Sequence, residues 1–245
     1  MLDLHNHVLY GLDDGCRTLD ESQALCERAH ALGHVGFVAT PHIRSGMFDN
    51  TVDRIRARRD EVAPVVQAAH LELWLGAEYY FDEHLLAAAK QKQLLTLGET
   101  SRYVLVEFPQ AQLPLRYDGV LFELRALGYV PIIAHPERCR GIERDPEATW
   151  AALSRVALLQ LDLGSLLGRY GEGARRTAQF LVKRGAYQVA AGDLHRPADA
   201  DEILPKAKKE LAKLLPKGHS VTALCLDNPR HIVSNHAPED LAASS

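Results

Sequence analysis

Apolar residues fall along this chain in two alternating patterns. Short, nearly continuous apolar runs occupy residues 2–7, 35–39, 71–77, 103–107, 130–134, 157–161 and 187–191. Runs of this kind, bounded by Gly, Pro or Asp, predict strands covered on both faces. Longer segments with helix punctuation separate them. Thr18 precedes Leu19-Asp20-Glu21, so Thr18 reads as a cap and Glu21 as the far corner of a capping box, and that helix stops at Gly33. A helix over 51–69 carries Pro64, which predicts a kink or break. Further helices are predicted over 82–91, over 117–127 ahead of Gly128, from Asp145 with Pro146 in the first turn, over 173–184 ahead of Gly185, and over 199–215. Seven strands alternating with seven helices predict an α/β single domain, a distorted (β/α)7 TIM-like barrel. The barrel is expected over residues 1–236, with a small polar tail, 237–245, that frays.

Composition narrows the class. At 245 residues the chain is long enough for one barrel with a full core. Its apolar fraction of 47% and charged fraction of 24% are ordinary for a globular protein, and a net charge of −4 supplies no field that would draw it onto nucleic acid. No apolar run approaches spanning length, and Met1 leads directly into a strand, so a cytoplasmic protein with reduced thiols is expected. The lysines Lys206, Lys208, Lys209, Lys213 and Lys217 are spaced as the solvated face of a helix, with contact to an anionic membrane surface as the other reading. Oligomeric state is not legible.

Candidate chemistry lies where the apolar runs end. His5 and His7 are alternate residues of the first run, so their rings are expected on one face. Later runs end in Thr40-Pro41-His42, Gly76-Ala77-Glu78, Val106-Glu107, Ala134-His135 and Gly192-Asp193-Leu194-His195, and Asp13 and Asp14 sit in a Gly-bounded loop after the first strand. Strand ends of a β/α barrel converge on one mouth. Imidazoles and carboxylates together suit Zn, Mn or Fe, and so many donors exceed the needs of one ion. A multinuclear metal enzyme is therefore predicted. A thiol-based phosphatase is excluded: the residues six after Cys16, Cys26, Cys139 and Cys225 are Ser22, Leu32, Asp145 and His231, none an arginine. An aspartyl-phosphate route lacks its D-x-D pair, since Leu161-Asp162-Leu163 offers one aspartate.

Read together, Asp3-Leu4-His5-Asn6-His7, Asp13-Asp14-Gly15, Thr40-Pro41-His42 with Arg44-Ser45-Gly46-Met47-Phe48, Gly76-Ala77-Glu78, Val106-Glu107-Phe108-Pro109, His135-Pro136-Glu137-Arg138, Gly164-Ser165-Leu166-Leu167-Gly168 and Gly192-Asp193-Leu194-His195 resemble the polymerase-and-histidinol-phosphatase (PHP) superfamily. Within it the chain most resembles the bacterial tyrosine-protein phosphatases encoded with capsule and exopolysaccharide systems. The resemblance spans almost the whole chain in order. It implies three divalent metal ions, manganese first, with iron or zinc as alternatives. His5, His7, Glu78 and Asp193 would hold one ion, Glu78, Glu107 and His135 a second, and Asp14, His42 and His195 a third. It also implies hydrolysis of phosphotyrosine on a protein, with a bacterial tyrosine kinase as the partner, and no nucleic-acid substrate. Arg138, Arg44 and Arg196 are the candidates for gripping phosphate, because a guanidinium fork matches its oxygens. In the family an arginine often follows the last D-x-H by several residues, whereas here Arg196 is immediate. Two superfamily alternatives stand beside this reading: a histidinol-phosphate or other small-molecule phosphatase, and a nuclease, for which a basic aromatic groove would be needed.

Overall fold

The protein is described here by a computed structural model covering residues 1–99 and 101–241. In chain order the elements are β1 (Leu2–Asn6), α1 (Leu19–Ala31), β2 (Gly36–Ala39), β3 (His42–Ile43), α2 (Val52–Ala68), β4 (Glu72–Leu75), β5 (Glu78–Tyr80), α3 (Glu83–Lys90), β6 (Tyr103–Glu107), α4 (Tyr117–Ala126), β7 (Val130–Ala134), α5 (Arg140–Arg144), α6 (Pro146–Leu153), β8 (Leu158–Asp162), α7 (Glu172–Lys183), β9 (Val189–Ala191), α8 (Pro197–Leu214) and α9 (Asn228–Val233). Every strand pairing is parallel, in the orders β1-β2-β4 and β3-β5-β6-β7-β8-β9.

Two of the expected strands are each followed, after a short break, by a second short strand, and these breaks make two sheets out of one ring. Thr40-Pro41 separates β2 from β3, and Gly76-Ala77 separates β4 from β5. Proline has no amide hydrogen to give the ladder, so the strand is interrupted there. The broken strands stay side by side through Gly76 N–H donating to Ala39 O at 2.9 Å and Glu78 N–H donating to Pro41 O at 3.1 Å. Counted across the breaks, seven strands run in sequence order. At the remaining seam β1 meets the end of β9 through an Asn6–Leu194 bridge, with His7 N–H donating to Leu194 O and Asp193 N–H to His5 O, both at 2.9 Å.

Along β6 the side chains sort to two faces. Val104 and Val106 join the large core shared with the helices, among them Leu121 and Leu124 of α4, while Tyr103 and Leu105 join a smaller cluster with Val38, Ile132 and Val189 inside the ring. Ile232 and Val233 of α9 pack into that inner cluster, and the Tyr103 hydroxyl donates to His236 O at 2.7 Å, so α9 stoppers the ring at the N-terminal ends of its strands. Glu107 continues the inward alternation of Tyr103 and Leu105 at the opposite, C-terminal mouth.

Local signals account for most helix starts. Thr18 accepts from Glu21 N–H at 3.2 Å, and the Glu21 carboxylate reaches back to Arg17 N–H at 2.8 Å. Asp145 accepts from Ala148 N–H at 3.0 Å to start α6, with Pro146 in its first turn. The break expected at Pro64 does not occur, because α2 continues through it as one helix. The tail is ordered further than its composition suggests: Pro238–Asp240 forms a 3-10 turn and Leu241 is buried in the inner cluster. The rest of the tail expected to fray, 242–245, lies outside the described residues. No described helix is long and apolar enough to cross a membrane.

Candidate metal centre

Glu78 lies at the centre of the mouth. Its carboxylate is fully buried, and three imidazoles surround it: His5 Nε2 at 3.0 Å, His42 Nδ1 at 3.0 Å and His135 Nε2 at 2.9 Å. His7 Nε2 and His5 Nε2 lie 3.3 Å apart, and both face Asp193 Oδ1, at 3.1 and 3.2 Å. At the rim, Asp14 Oδ1 lies 3.4 Å from His195 Nε2 and 3.5 Å from His42 Nε2, and Glu107 Oε2 lies 3.9 Å from His42 Nδ1. All nine residues singled out from the sequence thus meet in one place. Their donor atoms fall into four overlapping groups, each within 4.8 Å: His7, Asp14, His42 and His195; His5, Glu78 and His135; His5, His7 and Asp193; and His42, Glu78 and Glu107. The grouping differs in detail from the one implied by resemblance, with His7 also beside the rim group and His42 also beside Glu78.

The chain bends to bring them there. His135 and Asp193, each one or two residues past a strand, have positive φ, 31° and 47°. Such backbone costs a non-glycine residue on the order of 1–3 kcal/mol and persists only where its surroundings hold it. Gly15 is required for a different reason. A Cβ there would lie 2.4 Å from both Cβ and O of His7, so only glycine lets the loop carrying Asp13 and Asp14 press against the first strand.

Electrostatics show how much charge is packed together. Burial alone would raise the Glu78 carboxyl; the positive charge of His5 and His42 and the contact with His135 outweigh it and hold Glu78 well below its usual range. Asp193 is likewise held down against its burial by His5 and His195. Burial would lower His5, but Glu78 and Asp193 push it up to about 9. Burial and the nearby Glu78 charge push Glu107 up to about 8, while burial and the Arg138 charge push His135 down to about 4. Buried carboxylates this close need cationic charge among them. The donor set fits divalent cations of the Mn, Fe and Zn kind: every donor is an imidazole nitrogen or a carboxylate oxygen, and no thiol joins them. Cys16 is near but inert, since burial pushes its thiol up to about 12 and its Sγ faces His195 O at 3.8 Å.

A surrounding layer was not evident from the sequence. Asp13, in the Gly-bounded loop after the first strand, has a buried carboxylate 2.8 Å from His7 Nδ1 that also accepts from His42 N–H at 3.0 Å and Gly15 N–H at 3.0 Å. Gln160 Oε1 lies 3.0 Å from His5 Nδ1. Each of these ring contacts fixes which imidazole nitrogen is left to face the cluster. Buried polar residues one turn or one strand away from a ligand pattern carry no motif of their own.

The three arginines part company. Arg138 Nη1 donates to Asp193 Oδ2 at 2.5 Å and to Asp162 Oδ2 at 3.3 Å. Arg44 stacks over the Tyr80 ring at 4.0 Å, and its charge is felt at Glu107, as is that of Arg138. Arg196 is exposed at the start of α8 beside Glu21, and among the described residues its side chain makes no contact with the cluster. Its backbone N–H donates to Asp199 Oδ2 at 2.8 Å.

The chain is similar to known proteins along most of its length. Residues 1–234 match the family model for capsular polysaccharide synthesis, CpsB/CapC. CapC of Staphylococcus aureus is 30% identical over 197 residues, 80% of this chain and 77% of that protein. The tyrosine-protein phosphatase YwqE of Bacillus subtilis is 29% identical over 222 residues, covering 88% of this chain and 87% of its own. A crystal structure from work on YwqE of Bacillus subtilis and CpsB of Streptococcus pneumoniae, metal-dependent tyrosine phosphatases, superposes with a TM-score of 0.84 at 26% identity, over 97% of this chain and 96% of that one.

Proposed function

Since the chain belongs to the CpsB/CapC family of capsular polysaccharide synthesis, we propose that it is a metal-dependent protein-tyrosine phosphatase. Its substrate on this reading is a phosphotyrosine on a bacterial tyrosine kinase tied to capsule or exopolysaccharide production, met in the cytoplasm. The observation that carries the proposal is the buried Glu78 carboxylate ringed by three imidazoles at 2.9–3.0 Å, within a nine-residue cluster at the barrel mouth. His5, His7, Asp14, His42, Glu78, Glu107, His135, Asp193 and His195 would hold three divalent ions, manganese first and iron or zinc as alternatives. Such ions, when bound, offset the charge of a phosphate dianion and lower the pKa of water to about 7.

The protein's own groups do the remainder. Arg138 and Arg44 present guanidinium donors at the same mouth and would grip the phosphate oxygens. Tyr80, under Arg44, and Phe48, stacked on the His42 ring at 5.2 Å and 9°, give the rim an aromatic lining suited to a phenyl ester. Phenolate departs with a conjugate-acid pKa of about 10, so a strong acid donor at the leaving oxygen is not demanded. The test is a parallel assay of the manganese-loaded protein on phosphotyrosine peptides, histidinol phosphate and single-stranded DNA. Preference for the peptides supports the proposal; preference for either of the others refutes it.

A further inference from the structure

We propose that Tyr170 is a positioning residue that holds the Arg138 guanidinium flat and turned to receive the substrate's phosphate, an inference that rests on the phosphatase reading above. Arg138 follows His135 by three residues in the turn Pro136–Arg138. Its Nη1 is tethered to Asp193 and Asp162, and its Nε, although buried, has no acceptor among the described residues. The guanidinium carbon sits 4.1 Å from the centroid of the Tyr170 ring. One end of the fork is thus anchored, one face is covered, and one donor is left without a partner. An arginine held only at Nη1 pivots about that contact. A ring against its face removes the pivot, so less rotamer freedom is lost when phosphate arrives.

The placing of Tyr170 depends on a short, well-braced turn. Asp162 ends β8, and the 3-10 turn Leu163–Leu167 follows, with Asp162 Oδ1 accepting from Gly164 N–H at 2.7 Å. Gly168 and Gly171, at φ 80° and 94°, then bracket Arg169 and Tyr170. Arg169 Nη2 donates to Asp199 Oδ1 at 2.6 Å, and Asp199 Oδ2 accepts from the N–H groups of His195 and Arg196 at 3.1 and 2.8 Å. Adjacent residues of one turn therefore brace two separate strand-end loops: Tyr170 the one bearing Arg138, Arg169 the one bearing His195. Asp162 is a counter-charge to Arg138 and accepts from the Tyr170 hydroxyl.

Steady-state kinetics of the manganese-loaded protein on p-nitrophenyl phosphate test this, with calorimetric affinity for inorganic phosphate as the second readout. Tyr170→Leu is expected to raise KM about thirtyfold, the size of one desolvated cation–π contact, with kcat within about threefold. The Kd for phosphate should rise by the same factor. Tyr170→Phe keeps the ring and should restore both. In an Arg138→Lys background, which lacks the planar face, Tyr170→Leu should add little. A Tyr170→Leu protein whose kcat falls while KM and phosphate Kd stay put has lost only folded enzyme, and that overturns the proposal. So does a KM penalty that persists in full with Arg138→Lys. Wild-type protein inactive on every phosphate monoester would overturn the phosphatase reading, and this inference with it.

Discussion

Replacing Asp13 by asparagine tests whether the buried layer around the cluster sets its affinity for cations. Three groups converge on the Asp13 carboxylate: His7 Nδ1 at 2.8 Å and His42 N–H at 3.0 Å on Oδ2, and Gly15 N–H at 3.0 Å on Oδ1. An amide has one oxygen to offer. Its best orientation keeps that oxygen on His7 and His42 and points its NH2 at the Gly15 N–H, donor against donor. The unsatisfied pair costs about 1–3 kcal/mol of folding stability. The neutral amide also withdraws the charge that favours a proton on His7 Nδ1, leaving Nε2 less fixed as the donor toward the cluster. Loss of such an outer carboxylate–histidine contact typically weakens metal binding about 10–100-fold. Calorimetric titration of metal-free Asp13→Asn with manganese, beside a thermal melt, measures both effects. A folded variant that binds manganese as tightly as the parent would show that Asp13 is only a turn residue.

Three further outcomes follow from the same geometry. Glu107, pushed up to about 8 by burial and the Glu78 charge, binds a proton in the fold that an unfolded chain releases near the ordinary glutamate value of 4.5. Its contribution to stability is therefore present below that value and lost as pH rises through about 8, so the melting temperature of chelator-treated protein should fall over this range, and Glu107→Gln should flatten the fall; an unchanged slope would exclude Glu107 as its source. His135→Ala should reduce turnover of p-nitrophenyl phosphate by about 10²-fold or more while the circular dichroism stays native, and full activity would remove His135 from the site. Gly119 sits inside α4, and a Cβ placed on it would meet nothing within 4 Å, so Gly119→Ala should stabilise by about 0.5–1 kcal/mol in denaturant melts, and a loss would refute the open surface there.

Much of this architecture is legible in the amino-acid sequence, for identifiable reasons. Strands covered on both faces appear as unbroken apolar runs, and caps such as Thr18 and Asp145 act within one turn of themselves, so both kinds of signal are local. The metal-type donors are legible because each stands at the end of such a run. What escapes depends on partners distant in sequence. Asp13 differs from a solvated turn aspartate only through His7 and His42, and Gln160 matters only because His5 lies across the ring. That the breaks at Thr40-Pro41 and Gly76-Ala77 lie side by side depends on contacts between strands, Gly76 N–H to Ala39 O and Glu78 N–H to Pro41 O. Arg138 and Arg196 look alike as mouth arginines; the Asp193 and Tyr170 contacts of one, and the Asp199 tether of the other, tell them apart.

The seam between β1 and the end of β9 has a kinetic corollary. His7 and Asp193 face each other across 186 residues of sequence, and Glu78 joins His5 across 73. During synthesis, a nascent chain whose first three strands have left the ribosome holds histidines but lacks the aspartate that completes their surroundings. Closing so long a loop is slow relative to local helix formation. Manganese supplied early to a refolding reaction would thus meet an open half-ring, and its capture should coincide with the last and slowest phase of folding.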